Sequence, residues 1–304
     1  MRMVAFASDQ GDARLGVLAF RDGEHVIDVR DLEPRAPSDL VALLEQGPQA
    51  LARIAGRAEA AGPDMPSVPL ASVRLLAPIR RPPKILAAAG NYQEHLEEGG
   101  APRVDPARVV PRLFLKPAST ILDPGRPFRL SPISSAIDWE LELAAVIGRP
   151  CRDVAVGDAL DAVAGYTVIN DISARSMDWG LEDRQPGDWN GFFDWLNGKW
   201  LDGSAPLGPW FVTADDVPDP QALGMELRVN GEVRQSADTS QMIFGVAQLV
   251  SFASRFMTLE PGDIIATGTP AGVGATTGTY LADGDVMEAT IDGLGTRVTP
   301  VAGG

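Results

Sequence analysis

The sequence predicts a mainly β protein of the α+β kind: a rolled or sandwiched β architecture preceded by a small N-terminal α/β unit. Three observations lead there. From residue 84 onward most segments have strand character, among them "KILAAAG", "RLFLKP", "DWELELAAVIG", "AVAGYTVIND", "GMELRVNGEVRQS" and "DVMEATID". Helical patterns in the same region are few: "NYQEHLEE", "ISARSMD" and "MIFGVAQLVSFASRFM". Strands and helices do not alternate in the way a doubly wound sheet requires.

In chain order, residues 1–32 alternate short apolar runs with turn chemistry ("MVAFAS", "RLGVLAF", "RDGEHVIDV") and read as a small meander. Residues 38–61 are rich in Ala and Leu with a Gly-Pro break, which predicts two helices. The next stretch, "AGPDMPSVPLASVRLLAPIRRPPK", holds six prolines and predicts an extended linker. This divides the chain into an N-terminal part over 1–75 and a larger part over 76–304. Within the larger part "VNGEV" marks a hairpin.

Composition narrows the function. With 45% hydrophobic and 22% charged residues the chain is an ordinary globular one. A net charge of −15 argues against nucleic acid and anionic membrane as partners, because the field of the whole molecule repels them. An anionic substrate then needs local cations in its pocket. Cys151 is the single cysteine, so no intrachain disulfide forms and a reducing cytoplasm is the expected compartment. No apolar stretch reaches membrane-spanning length.

The chemistry centres on "AIDWELELAAVIG". Asp138, Glu140 and Glu142 alternate with Trp139, Leu141 and Leu143. On a strand, alternate residues point to one face roughly 6–7 Å apart. Three like charges there raise each other's pKa. One reading is a solvated strand face. The other, joined by Asp171 at the end of "YTVIND", is an all-oxygen cluster for a hard cation such as Mg²⁺, Mn²⁺ or Ca²⁺. His95 and Glu98, three apart in "NYQEHLEE", share a helical face. They form either an ordinary surface pair or a general base with its orienting carboxylate. Arg175 and Lys199 are salt-bridge partners or substrate cations. The glycine-rich "GTPAGVGATTG" lacks a Walker lysine and reads into a strand, which disfavours a nucleotide site. Its turn can still offer backbone N–H groups to an anion.

Taken together, "GNYQEHLEE", "DWELELAAVIG", "GYTVINDISAR", "APLGPW" and "TLEPGDIIATGTPAGVG" resemble the fumarylacetoacetate hydrolase family, in order and in spacing, over roughly residues 84–296. They are most similar to its bacterial acylpyruvase and 2-oxo-hepta-ene-dioate isomerase members. The resemblance implies that Glu140, Glu142 and Asp171 ligate Mg²⁺ or Mn²⁺, with Asp138 at the edge of the site. It implies a water-activating His95–Glu98 dyad, a catalytic and substrate-binding Lys199, and substrate contacts from Arg175 and Thr269. It implies a homodimer acting on a small anionic 2-oxo acid. The implied activity is hydrolysis of a carbon–carbon bond in a β-diketo acid, an acylpyruvate or fumarylpyruvate, through a metal-bound enolate. An oxaloacetate-type decarboxylase, or a 2-oxo-enoate isomerase or hydratase, would use the same ligands. A non-catalytic binding protein is the rival from another class, and retention of the whole constellation argues against it. The chain departs from the pattern between Arg175 and Lys199. Asp194 replaces a glutamine, Trp200 follows the lysine, and Trp179, Trp189, Phe192, Phe193 and Trp195 crowd the segment. A more aromatic pocket wall or dimer edge is expected there.

Overall fold

The computed structural model describes residues 1–304 except Asp9, Asp22, Gln185 and Pro186. Its centre is the strand Leu141–Ile147, which pairs antiparallel with Val163–Asn170 on one side and Ile264–Ala266 on the other. Beyond Ile264–Ala266 the sheet continues in parallel to Ile85–Ala88 and ends at Leu113–Lys116. In the other direction it runs through Phe211–Thr213 to Arg2–Ala7, Ala13–Arg21, Gly23–Asp28 and Val68–Pro69. A second sheet of five strands contains Gly224–Val229, Val286–Ile291 and Gly295–Ala302.

The alternation expected of Leu141–Ile147 decides how the layers stack. Leu141, Leu143, Ala145 and Ile147 enter one core with Leu227, Met287, Ala289 and Ile291 of the second sheet. Ala144 and Val146 enter another with Val17, Ile27, Leu40, Leu43 and Ile54. A strand covered on both faces becomes continuously apolar, which is why the acid alternation stops after Glu142. Each large side chain buried this way contributes about 1.5–3 kcal/mol.

The two expected N-terminal helices are Leu40–Leu44 and Pro48–Glu59, and the helix carrying His95 is Gln93–Glu98. Other elements differ from expectation. The proline-rich stretch carries short paired pieces, Val68–Pro69 against His25 and Val26, and Arg74–Leu76 against Arg2–Ala7. Extended proline-rich chain suits such edge pairing. No helix forms over "ISARSMD"; Ser173–Ala174 pairs with Ile137–Asp138 instead. The backbone there is committed outward, with Ile172 N–H donating to Ser204 O (2.9 Å), Ala174 N–H to Gly198 O (2.9 Å) and Arg175 N–H to Ala136 O (2.8 Å). The helix expected over residues 242–257 is only Val246–Ser254. The glycine loop runs into a one-turn helix, Gly274–Thr277, and not into a strand.

Asn91 closes the end of this core. Its amide donates to Phe244 O (2.9 Å) and Thr267 O (2.8 Å), and its carbonyl accepts from Phe244 N–H (2.9 Å). Residues 243–244 therefore bond to Asn91 and do not extend the helix. Asn91→Ala strands three enclosed backbone groups, so a loss of about 3 kcal/mol in denaturant unfolding is expected.

Candidate metal centre and dyad

Glu140 precedes the central strand, Glu142 lies on it, and Asp171 follows its partner strand. Asp171 N–H donates to Glu140 O (2.8 Å) and Asn170 Oδ1 accepts from Glu140 N–H (2.9 Å), which draws the two strand ends together. The three residues are 5%, 1% and 0% exposed, and one carboxylate oxygen from each lies within 4.8 Å of the others. They do not form a solvated face.

Cations compensate two of them. Glu140 receives Arg175 Nη2 at 2.6 Å and Lys199 Nζ at 2.6 Å. Asp171 receives Lys199 Nζ at 2.9 Å and Lys116 Nζ at 2.5 Å. Burial disfavours the charged form of Glu140, but Lys199 and Arg175 outweigh it and hold the group at about 2, with His95 adding to their effect. Burial also opposes the charge on Lys199, and Asp171 with Glu140 overcomes it, so that lysine is raised. Burial pulls Lys116 down against Asp171. Glu142 differs. Among the described residues its hydrogen-bond partner is the Gly268 N–H, 2.7 Å from Oε2. Burial, Asp171 and Glu140 together push it well above the usual carboxylate range. A buried carboxylate that makes no ion pair among the described residues, in an all-oxygen set, fits a hard divalent cation.

The dyad adjoins this cluster. His95 Nδ1 is 2.8 Å from Glu98 Oε1, while Glu98 Oε2 accepts the Gly272 N–H (2.9 Å). Burial raises the Glu98 carboxyl, but the His95 and Gly272 hydrogen bonds prevail and lower it. Asp138 is tied down completely. It accepts from Gly274 N–H (2.7 Å), Ala275 N–H (3.0 Å), Trp139 N–H (2.8 Å) and Arg175 Nε (2.8 Å). Its part is to anchor Arg175. Thr269 is 3% exposed; its hydroxyl donates to Leu141 O (2.9 Å) and accepts from Gln235 (2.8 Å).

Sequence reasoning missed Lys116 and Gln235. A signal for Lys116 existed: it is two residues after Phe114 on Leu113–Lys116, in phase with the buried face. Gln235 bridges Leu141 N–H (3.0 Å), Thr269 and Pro270 O (2.8 Å), and nothing in its local sequence marks it. A cavity of about 960 Å³ lies elsewhere, lined by Leu51, Ala55, Ala164 and Asp216, and brings no convergent catalytic groups. Chemistry, not volume, locates the site.

Buried carboxylates beside cations and a histidine dyad stand together at strand ends of a layered β fold and could hold a metal ion. Residues 84–302 match the family described as fumarylacetoacetate (FAA) hydrolase C-terminal, and the chain belongs to that family. It is 39% identical to the mitochondrial oxaloacetate tautomerase fahd2 of Xenopus laevis, covering 99% of this chain and 90% of that one. It is 40% identical to human mitochondrial oxaloacetate tautomerase FAHD2A, covering 99% and 91%. Among solved structures it resembles maleylpyruvate hydrolase from Sphingobium sp. SYK-6 in complex with manganese (II) ion and pyruvate (32% identity, TM-score 0.77, all of both chains). It also resembles 2-hydroxyhepta-2,4-diene-1,7-dioate isomerase from Mycobacterium marinum (33% identity, TM-score 0.73, 100% and 98% covered). Among the described residues no helix is long and apolar enough to cross a membrane.

Glu142 contributes to the pH dependence of the metal-free protein. Its folded pKa lies above the unfolded value near 4.5, so the proton it binds stabilises the fold at low pH. That contribution is lost as pH rises through the folded pKa. Metal-free Glu142→Gln is therefore expected to melt above the parent at about pH 8, with the gap closing toward about pH 4.5. Mn²⁺ should raise the melting temperature of the parent and leave that of Glu142→Gln in place.

Proposed function

We propose that the protein is a Mg²⁺- or Mn²⁺-dependent enzyme that enolises a small 2-oxo dicarboxylic acid, with keto–enol tautomerisation of an oxaloacetate-like acid as its reaction. The observation that carries this is the His95–Glu98 dyad, fixed to the same glycine loop that holds Glu142. With Nδ1–H donating to Glu98, the Nε2 lone pair of His95 is the free base. It moves a proton between C3 and the oxygen on C2. Lys199 and Arg175 bind the anionic substrate and carry the negative charge that gathers on that oxygen in between. Glu140, Glu142 and Asp171 would hold the cation, which when bound supplies Lewis acidity toward the 2-oxo group. The tautomerase relatives, matched over nearly their whole length, support this reading.

Carbon–carbon hydrolysis of a β-diketo acid is the second reading. The dyad favours it too, since the same Nε2 can take its proton from water, and the Sphingobium relative is a hydrolase. His95→Ala is expected to lower oxaloacetate tautomerisation by about 10²–10⁴-fold. Calorimetric Mn²⁺ affinity should be unchanged, because no ligand is lost. Acylpyruvate cleavage, followed in the same preparations, assigns the reaction: faster turnover of that substrate by the parent selects hydrolysis. Near-parental turnover of both substrates by His95→Ala would remove the dyad from the mechanism.

We further propose that a second copy of the chain docks at the aromatic face. Trp189, Phe192 and Phe193 are 75%, 50% and 48% exposed on the helix Asp188–Asn197. Trp195 of the same helix packs edge-on against Phe114, and Trp200 Nε1 donates to Leu115 O (2.9 Å). Phe114 and Leu115 belong to the edge strand, so helix and edge form one surface. Its apolar area, on the order of 500 Å², is near the most a monomer ordinarily shows. It is also most of the ~800 Å² per partner in a stable interface. Light scattering is expected to give a dimer for the parent and a folded monomer for Trp189→Ser with Phe193→Ser. A dimer in both would place the contact elsewhere.

A further inference from the structure

The buried ammonium of Lys116 belongs to neither the ligand set nor the groups that meet substrate. Its side chain is 0% exposed. An ammonium has three N–H donors, and three acceptors surround this one: Asp171 Oδ1 at 2.5 Å, Lys199 O at 2.6 Å and Ser204 Oγ at 3.2 Å. Such a lysine has no rotational freedom left. Its backbone is fixed as well, because Lys116 pairs with Ile85 at the end of an edge strand and Pro117 follows.

The geometry points to Lys116 as a positioning residue for both Asp171 and Lys199; this rests on the reading of Glu140, Glu142 and Asp171 as a metal site. Asp171 has two oxygens. Lys116 occupies Oδ1, which leaves Oδ2 to the Lys199 ammonium that also binds Glu140 Oε2. The bond to Lys199 O holds the backbone from which that second lysine reaches across to Glu140. Ile172 N–H binds Ser204 O (2.9 Å), so Asp171 is also tied through its chain neighbour to the segment that carries the third acceptor. One cation thus fixes the carboxylate plane of a ligand and the origin of a catalytic side chain.

The alternative is that Lys116 only neutralises charge, and the two roles predict opposite signs. If it is a counter-ion, Lys116→Met leaves the carboxylates less compensated, and a divalent cation binds more tightly. If it positions Asp171, the same change frees Oδ1 to rotate, and binding weakens by about tenfold, as when a metal ligand loses its orienting partner. The experiment is calorimetric titration of the full-length, metal-free protein with Mn²⁺. Lys116→Met is expected to bind about tenfold more weakly than the parent. Lys116→Arg should recover part of the loss, since charge returns without the three-point geometry. A merely structural lysine would lower the melting temperature and leave the Mn²⁺ affinity of the folded protein unchanged. If Lys116→Met does not fold, Ser204→Ala removes one contact and keeps the charge. An affinity about twofold to fivefold weaker is then expected. Equal or tighter Mn²⁺ binding in the variant that folds overturns the inference while leaving the metal site standing. A parent that binds no Mn²⁺ overturns both.

Discussion

The structure depends on how charge is managed in a space closed to water. Glu140, Glu142 and Asp171 each bring an oxygen within 4.8 Å of the others. At an effective dielectric constant of about 20, two unit charges at that distance repel by about 3.5 kcal/mol. Three such pairs reach the order of 10 kcal/mol, comparable with the whole stability of a domain. A cluster of this kind persists only where compensation is built around it. Arg175, Lys199 and Lys116 supply the cationic part at Glu140 and Asp171. At Glu142 the chain provides the more distant pull of Lys199 and a backbone amide, and burial with Asp171 and Glu140 prevails over both.

That amide comes from the loop after Ile264–Ala266, and sheet register is what delivers it. Ala266 lies opposite Ala144, so the chain leaving Ala266 passes beside Glu142. The loop then spends its N–H groups on three carboxylates: Gly268 on Glu142, Gly272 on Glu98, and Gly274 with Ala275 on Asp138. Two positions require glycine. At Gly268 φ is +87°, and at Gly272 φ is +103° with a Cβ there falling 2.0 Å from Arg234 O. The sequence left this loop able to offer its N–H groups to an anion. The anions it receives are the protein's own, and a ligand, the dyad and the anchor of Arg175 are thereby set in one frame.

Much of this was legible because it is local. Glu140 and Glu142 are two apart, His95 and Glu98 three apart, and a strand or a helix turn is enough to bring each pair together. Asp171 was legible because it ends an apolar strand. Lys116 was not, because a lysine in phase with a buried face has meaning only once Asp171 is known to lie across from it, fifty-five residues further on. Gln235 is a longer-range case still, ninety-four residues from Leu141. The helix expected over "ISARSMD" failed for a related reason. Its backbone groups were already committed to Ala136, Gly198 and Ser204, and no local pattern records those partners. Asp194, which stands where a glutamine was expected, is clasped by Arg184 Nη2 and Trp179 Nε1.

Charge balance also bears on how an anionic substrate reaches such a site. With every group counted as ionised (as cation binding requires of Glu142), Asp138, Glu140, Glu142 and Asp171 contribute −4 against +3 from Lys116, Arg175 and Lys199, a formal sum of −1. The molecule around it carries −15. A dicarboxylate approaching that field is repelled both at long range and on arrival. A divalent cation held by the three ligands brings the cluster to +1 and reverses the local sign. Under the proposed function a bound cation would therefore favour substrate binding as well as supply Lewis acidity. Under the same reading a bound cation would take over part of the carboxylate charge that Lys199 and Arg175 compensate here. Those two side chains would then give up little by turning part of their hydrogen bonding toward incoming carboxylate groups.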